Sequence, residues 1–209
     1  MYTKPMIINV SGNIGAGKSS LLRRLNIQDD CMIVEEPVHL FTNYKGVNIL
    51  EKFYKKTISN IEFQTTITRI MMDYHIKMYD ECVRKGIKYM ITERSIIDSI
   101  EIFSRMLISD ETFYKSIYEY TSEYQSYLPS LYVYIQSKPD RCLERIVKRN
   151  RKEELNISLS YLENLHNCTE RFFEKLSTQK KIIYNMENKS QSRVATDVSR
   201  LIQKNVESF

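Results

Sequence analysis

Residues 6–20 constrain this chain more than any other stretch. They read Met-Ile-Ile-Asn-Val-Ser-Gly-Asn-Ile-Gly-Ala-Gly-Lys-Ser-Ser. An apolar run over 6–10 leads into a turn formed by Gly12, Asn13, Ile14, Gly15, Ala16 and Gly17. Lys18, Ser19 and Ser20 follow, and Leu21, Leu22 and Leu25 then take up helical spacing. The pattern Gly-x-x-x-x-Gly-Lys-Ser is that of a phosphate-binding loop between a strand and a helix. Its glycines let the backbone curl until successive N–H groups converge on an anion. The helix behind adds unsatisfied N–H groups and the positive end of its dipole. Lys18 is placed to reach β- and γ-phosphates, and Ser19 to ligate Mg²⁺. A strand–turn–helix corner that merely contains glycines is the plainer alternative. The flanking strand and helix patterns favour the phosphate loop. It implies a bound nucleoside triphosphate and leaves open what is done with it.

The 209 residues, 42% apolar and 27% charged, suit one domain with a substantial core, and no linker or repeat divides them. The expected fold is α/β. Short apolar runs at 6–10, 32–34, 88–92, 131–136 and 181–186 alternate with helical patterns. That alternation predicts a five-stranded parallel sheet with helices on both faces. Helices are expected over 60–85, 95–108, 111–127 and 192–206, with Gly86 ending the first of these. Cys31, Cys82, Cys142 and Cys168 lie far apart with no C-x-x-C, which reads as reduced thiols. The N-terminal apolar run is too short for a signal peptide, and no stretch reaches the length of a membrane span. A cytoplasmic protein with no membrane partner is expected, a mitochondrial leader outside this sequence being the alternative. The abundance of Lys, Ile, Asn and Tyr hints at an A/T-rich genome, such as a viral one.

The net charge of +5 raises the question of nucleic acid. The basic residues form no long stripe, however, and cluster at 141–152. On charge alone that cluster is a solvated helix face. Beside a phosphate loop, it suits a triphosphate.

Acidic residues stand at two further strand ends. The second strand runs into Glu35-Glu36-Pro37 and the third into Glu93-Arg94-Ser95. Ligands of open α/β sheets bind at the carboxyl ends of the strands, where the phosphate loop also lies. A carboxylate there can take a proton from an attacking hydroxyl. Glu93 could serve Mg²⁺, and Arg94 a phosphate or substrate hydroxyl. Solvated loop acids and a surface ion pair are the alternatives, and two acidic ends beside one loop weigh against them. Gln64 sits in an apolar helical stripe, where a carboxamide needs partners for both its oxygen and its nitrogen. His39, His75 and His166 lack metal-ligand spacing.

Taken in order, these motifs resemble the deoxynucleoside kinase family over nearly the whole chain. The match comprises Gly-Asn-Ile-Gly-Ala-Gly-Lys-Ser at 12–19, Glu-Pro-Val at 36–38, Gly-Val-Asn-Ile-Leu-Glu at 46–51, Phe63-Gln64-Thr65 and Glu-Arg-Ser at 93–95. It continues through Arg145-x-x-x-Arg149-x-Arg151-x-Glu153-Glu154, Tyr161-Leu162-Glu163 and Leu165-His166. The resemblance implies an ATP-dependent kinase acting on the 5′-hydroxyl of a deoxynucleoside, with Mg²⁺, as a homodimer that binds no nucleic acid. It implies Glu36 as the general base and Arg94 as the cation at the 5′ region and transferred phosphoryl. Glu93 and Ser19 would serve the metal. Gln64 would grip the base edge, Phe103 would stack on the base, and Tyr54 and Glu154 would hold the 3′-hydroxyl. Arg149 and Arg151, with Arg145 beside them, would belong to a lid at about 145–156 that closes over the ATP phosphates. The family often places Trp where Phe41 stands, and the spacing to Gln64 makes Tyr54 rather than Phe53 a matter of choice. Met71 and Ser99 stand where purine- and deoxycytidine-preferring relatives tend to carry Arg and Asp. Their absence resembles the thymidine-accepting branch, so thymidine and deoxycytidine are expected as substrates. A nucleoside monophosphate kinase of the thymidylate type is the nearest alternative, disfavoured because Glu36 would repel a phosphate dianion. A nucleotide switch or nucleic-acid-binding ATPase is the alternative of a different class.

Overall fold

A computed structural model of the protein describes residues 4–27, 30–187 and 189–206. Five strands form its sheet: β1 (Met6–Ser11), β2 (Cys31–Val34), β3 (Tyr89–Glu93), β4 (Leu131–Gln136) and β5 (Lys181–Asn185). All pairs are parallel, in the order β2-β3-β1-β4-β5. These are the five expected runs, with ends shifted by a residue or so. The helices are α1 (Lys18–Leu22), α2 (Val38–Thr42), α3 (Ile49–Tyr54), α4 (Asn60–Lys85), α5 (Arg105–Leu107), α6 (Glu111–Thr121), α7 (Pro139–Arg149), α8 (Leu159–Lys175) and α9 (Gln191–Val206).

The sheet is apolar on both faces because helices cover both, as parallel crossovers require. Ile8, Val10, Val133 and Ile135 meet Leu21, Leu22, Ile146, Val194, Val198 and Ile202 on one face. On the other, Ile7, Val34 and Met90 meet Tyr79 and Cys82 of α4. Asn9 and Ser11 alternate with Ile8 and Val10, yet both are fully buried. No described helix is long and apolar enough to cross a membrane.

Helix α4 shows why the chain folds this way locally. Ser59 accepts a hydrogen bond from the N–H of Glu62, the N-terminal cap, and Glu62 itself sits in the positive first turn. Arg84 and Lys85 fill the last turn, and Gly86 closes the helix at φ 68°. Gln64, Ile67, Met71, His75, Tyr79 and Cys82 recur every three or four residues and form its buried side.

Two expected helices are not simple α-helices. Within 95–108 the chain winds as a π-helix over Asp98–Ser104 and only then as the short α5. The Ser104 hydroxyl donates to the Ser99 carbonyl at 2.8 Å, spanning the wider turn. Within 111–127, α6 ends at Thr121 and a 3-10 stretch follows over Ser122–Tyr127. Leu128 is extended there (φ −85°, ψ 146°), as the residue before Pro129 should be.

Candidate active site

The loop after β1 curls as its glycines predict. Gly15 has φ 78°, and a Cβ on it would lie 2.5 Å from the Cys142 carbonyl oxygen of α7. A Cβ on Gly12 would lie 2.6 Å from the Ile135 carbonyl oxygen. Glycine is therefore required by close packing against β4 and α7 as well as by backbone angle. The loop is braced from outside. Asn13 donates to the Leu162 carbonyl of α8 at 2.8 Å, and Arg145 donates to the carbonyl of Gly15 at 3.2 Å and the Ser137 hydroxyl at 3.0 Å. The Lys18 ammonium is buried on the loop's inner side, donating to the carbonyls of Gly12 and Asn13. Burial, with Arg94 nearby, pulls its pKa down to about 8 against the pull of Glu93 and Glu36. The Ser19 hydroxyl donates to a Glu93 carboxylate oxygen at 2.9 Å.

The acceptor side lies across a cleft whose cavity volume is about 290 Å³, lined by Lys18, Ser19, Glu36, Gln64, Glu93 and Arg94 among others. That size suits a small molecule, since such sites begin at roughly 300 Å³. The two neighbouring acids after β2 diverge. Glu35 is exposed and paired with Arg23 at 2.9 Å. Glu36 faces the cleft, its side chain one-quarter exposed, with Arg94 Nε 3.2 Å from its Oε1. The Arg94 N–H is not directed along that contact, so this buried nitrogen has no hydrogen-bond partner among the described residues. Burial raises the Glu36 pKa, and the guanidinium opposite restrains the rise. Arg94 adopts φ 64°, a left-handed backbone that costs a side-chain-bearing residue about 1–2 kcal/mol. Its guanidinium stacks on the Phe103 ring, 4.7 Å from the centroid.

At the far end of the cleft Gln64 is 1% exposed, and its Oε1 has no hydrogen-bond partner among the described residues. Buried carboxamide oxygens are nearly always paired, so this one stands out at the edge of the cleft that Gln64 lines. Met71 and Ser99 line the same cleft, and both are buried. Tyr54 and Tyr161 line it too. Burial pushes the Tyr161 hydroxyl up to about 12 and the Tyr54 hydroxyl higher, with Glu154 and Glu36 adding to the effect at Tyr54. Glu154 accepts two hydrogen bonds from Arg149, at 3.0 and 2.5 Å, and lies 3.6 Å from Arg151.

The deoxynucleoside kinase profile matches residues 8–207. The chain belongs to the deoxynucleoside kinase family. It is 30% identical over 180 residues to human mitochondrial thymidine kinase 2, covering 82% of this chain and 66% of that one. It thus spans just under two thirds of that relative's length. It is 26% identical over 186 residues to human deoxycytidine kinase, covering 76% and 72%. A protein of Invertebrate iridescent virus 3 named as a kinase is 29% identical over 205 residues, covering 95% and 96%.

With the family in hand, the placement of each expected residue can be judged. Glu36, Arg94, Tyr54, Gln64, Phe103, Met71, Ser99 and Glu154 all line one cleft, together with Ile14, Gly15, Lys18, Ser19, Glu93, Arg149 and Arg151. Gly12, Asn13, Ala16 and Gly17 form the loop behind it, and Ser20 lies in α1. Tyr54 faces the Glu154 and Glu36 carboxylates, while the Phe53 ring is stacked on Phe63 at 3.9 Å. Both rings line the cleft, and only the tyrosine carries a hydroxyl. The basic cluster splits: Arg141 pairs with Glu144 in solvent, Arg145 braces the loop, and Arg149 and Arg151 turn to Glu154. Glu153 stands in the same motif, but its side chain lies outside the described residues. Tyr161, which stands in the quoted Tyr-Leu-Glu motif without an assigned role, also lines the cleft. Ser19 and Glu93 bring two oxygen donors together at the mouth of the phosphate loop. An all-oxygen pair with room for phosphate and water suits Mg²⁺, which takes few protein ligands.

Proposed function

We propose that this protein transfers the γ-phosphoryl group of ATP to the 5′-hydroxyl of a deoxynucleoside, with thymidine and deoxycytidine preferred. The observation that carries the reading is the unpartnered buried Gln64 oxygen in the same cleft as the Glu36–Arg94 pair and Lys18. One end offers hydrogen bonds to a base edge, the middle a base and a cation, the other end a triphosphate cradle. Gln64 would pair with the N3–O4 edge of thymine or, flipped, the N3–N4 edge of cytosine. Met71 and Ser99 supply no charged group to read a purine.

The chemistry follows from what the residues can do. Phosphoryl transfer depends on alignment and charge neutralisation more than on covalent help. Glu36 would accept the proton of the 5′-hydroxyl, and its raised pKa makes it a stronger base than an ordinary carboxylate. Arg94, held on Phe103, would neutralise charge on the transferred group. Lys18 and the loop N–H groups would hold the β- and γ-phosphates. Ser19 and Glu93 would hold Mg²⁺, which when bound neutralises charge across the phosphates. Tyr54 and Glu154 would position the 3′-hydroxyl, and Arg149 and Arg151 would close on the triphosphate and exclude water.

We also read the protein as a homodimer formed through α4 and α6. Ile61 and Tyr120 are exposed large hydrophobics on those helices, and they border a groove lined by Thr65, Phe113 and Ile117.

Steady-state kinetics with the four deoxynucleosides and with thymidine monophosphate test the reading. The highest kcat/KM is expected for thymidine or deoxycytidine. Deoxyguanosine as best substrate would overturn the pyrimidine preference, and turnover of the monophosphate alone would overturn the 5′-hydroxyl assignment.

A further inference from the structure

Asp98 is a buried acid that none of the roles above uses. It is 1% exposed and does not line the cleft, although its neighbour Ser99 does. Its carboxylate accepts four hydrogen bonds. Three reach Oδ2: from the Asn9 amide at 2.6 Å, and from the Ser95 N–H and hydroxyl, each at 2.9 Å. The fourth, from the Ser11 hydroxyl, reaches Oδ1. All four donors are uncharged. A buried carboxylate is tolerated only when such donors replace its water.

The bonds to Ser95 alone would be a helix cap, since an acid three residues into a helix commonly accepts from the first N–H. The bonds to Asn9 and Ser11 are not local. They tie the start of the π-helix to β1, 89 and 87 residues away in sequence. What lies at each end matters. Ser11 immediately precedes Gly12, where the phosphate loop begins. Ser95 immediately follows Arg94, whose N–H already donates to the Val10 carbonyl at 3.1 Å. Arg94 is therefore clasped on both sides against the strand that carries the phosphate loop. Its left-handed φ of 64° is the kind of backbone that persists only when its surroundings over-determine it.

We infer that Asp98 is a positioning residue for the transfer: it locks the Arg94 corner to the end of β1 and so fixes the acceptor-side cation relative to the phosphate loop. The inference rests on the proposed phosphoryl transfer for its consequence, and on the hydrogen-bond network for its geometry. Asparagine at 98 keeps the shape and an oxygen for Ser95 and Asn9 but loses the charge and one acceptor. Alanine frees Ser95, Ser11 and Asn9 together.

Two measurements on the full chain test it. In kinetics with thymidine and ATP, corrected for folded fraction, Asp98→Ala should lower kcat about 100-fold. Asp98→Asn should restore most of that, and both KM values should stay within about threefold. Ser95→Ala, a milder change, should be less than additive with Asp98→Asn in a double-mutant cycle on kcat. A near-normal kcat in a folded Asp98→Ala enzyme of lower melting temperature would show a structural role only and overturn the inference. Crystal structures of wild type and Asp98→Ala supply a readout independent of turnover. The Arg94 Nε–Glu36 separation, 3.2 Å here, should lengthen in the variant. An unmoved Arg94 overturns the inference even if the wild type acts on another substrate, whereas a wild type inactive on nucleosides overturns the functional reading and leaves this geometric test standing.

Discussion

Glu36 and Glu35 are adjacent acids in the sequence with opposite fates, which makes them a test of how burial sets chemistry. Glu35 is half-exposed and paired with Arg23, and an exposed pair of this kind contributes little. Glu36 is turned into the cleft, where burial raises its pKa and Arg94 limits the rise. As the proposed base, it would work only when ionised. The rate should therefore fall as pH drops through the raised pKa, at a higher pH than an ordinary carboxylate would give. Removing the cation by Arg94→Met takes away the restraint, so the acidic limb of the pH–kcat/KM profile should move further up. Glu36→Gln should lower kcat by about 10²–10⁴-fold and abolish that limb, with ATP binding retained in calorimetry. Near-normal turnover in that variant would mean that Glu36 is not the base. For Gln64, the sequence left a satisfied structural role and a ligand-facing role equally open. Its unpartnered oxygen favours the second, and no composition or spacing could have supplied that fact.

At the scale of elements, the five strands and α4 could be read from the sequence because their signals are local. These are apolar runs bounded by turns, a Ser59 cap and a Gly86 stop. The π-helix over Asp98–Ser104 could not be read, since its residues carry an ordinary helical stripe. The wider turn coincides with a tertiary contact, Asp98 drawn down to β1, and with a local bond from Ser104 to the Ser99 carbonyl. The shared cleft was legible only as strand ends falling at one edge of a sheet; the turn of Arg149 back onto Glu154 and the long-range contact of Arg145 with the loop were not. His75 of α4 carries a consequence for stability. It is buried, its Nε2 has no hydrogen-bond partner among the described residues, and burial pulls its pKa from 6.5 to about 4. Above pH 6.5 it is neutral folded or unfolded and has no effect. Between 6.5 and 4 the unfolded chain takes up a proton that the folded chain refuses, so stability falls as pH falls. The full loss corresponds to about 3 kcal/mol. Urea unfolding from pH 7 to 4 should show this slope in wild type and a shallower one in His75→Leu. Equal slopes would assign the acid sensitivity to other groups.

For the whole molecule, the question is what covers the outer face of α4 and α6. Ile61, Thr65 and Thr68 lie on one side of α4 at helical spacing, and Phe113, Ile117 and Tyr120 on one side of α6. Ile61 is 43% exposed and Tyr120 44%, and the groove between the helices is mostly apolar. The Thr68 hydroxyl, on a residue lining it, is buried without a hydrogen-bond partner among the described residues. A twofold contact of α4 and α6 with their copies would bury the same patch on both subunits, as an isologous interface requires. The cleft meets α4 through Gln64 and Met71, on the strip next to this patch and not on the patch itself. Light scattering should therefore give about twice the 24.9 kDa chain mass. Ile61→Asp with Tyr120→Asp should place charges where the patch is driest and shift the mass to that of one chain. The cleft residues are untouched by these changes, so the monomer should keep measurable thymidine turnover if it stays folded. A wild-type mass of one chain at micromolar concentration, or a double variant that stays dimeric, would rule out this face as the interface.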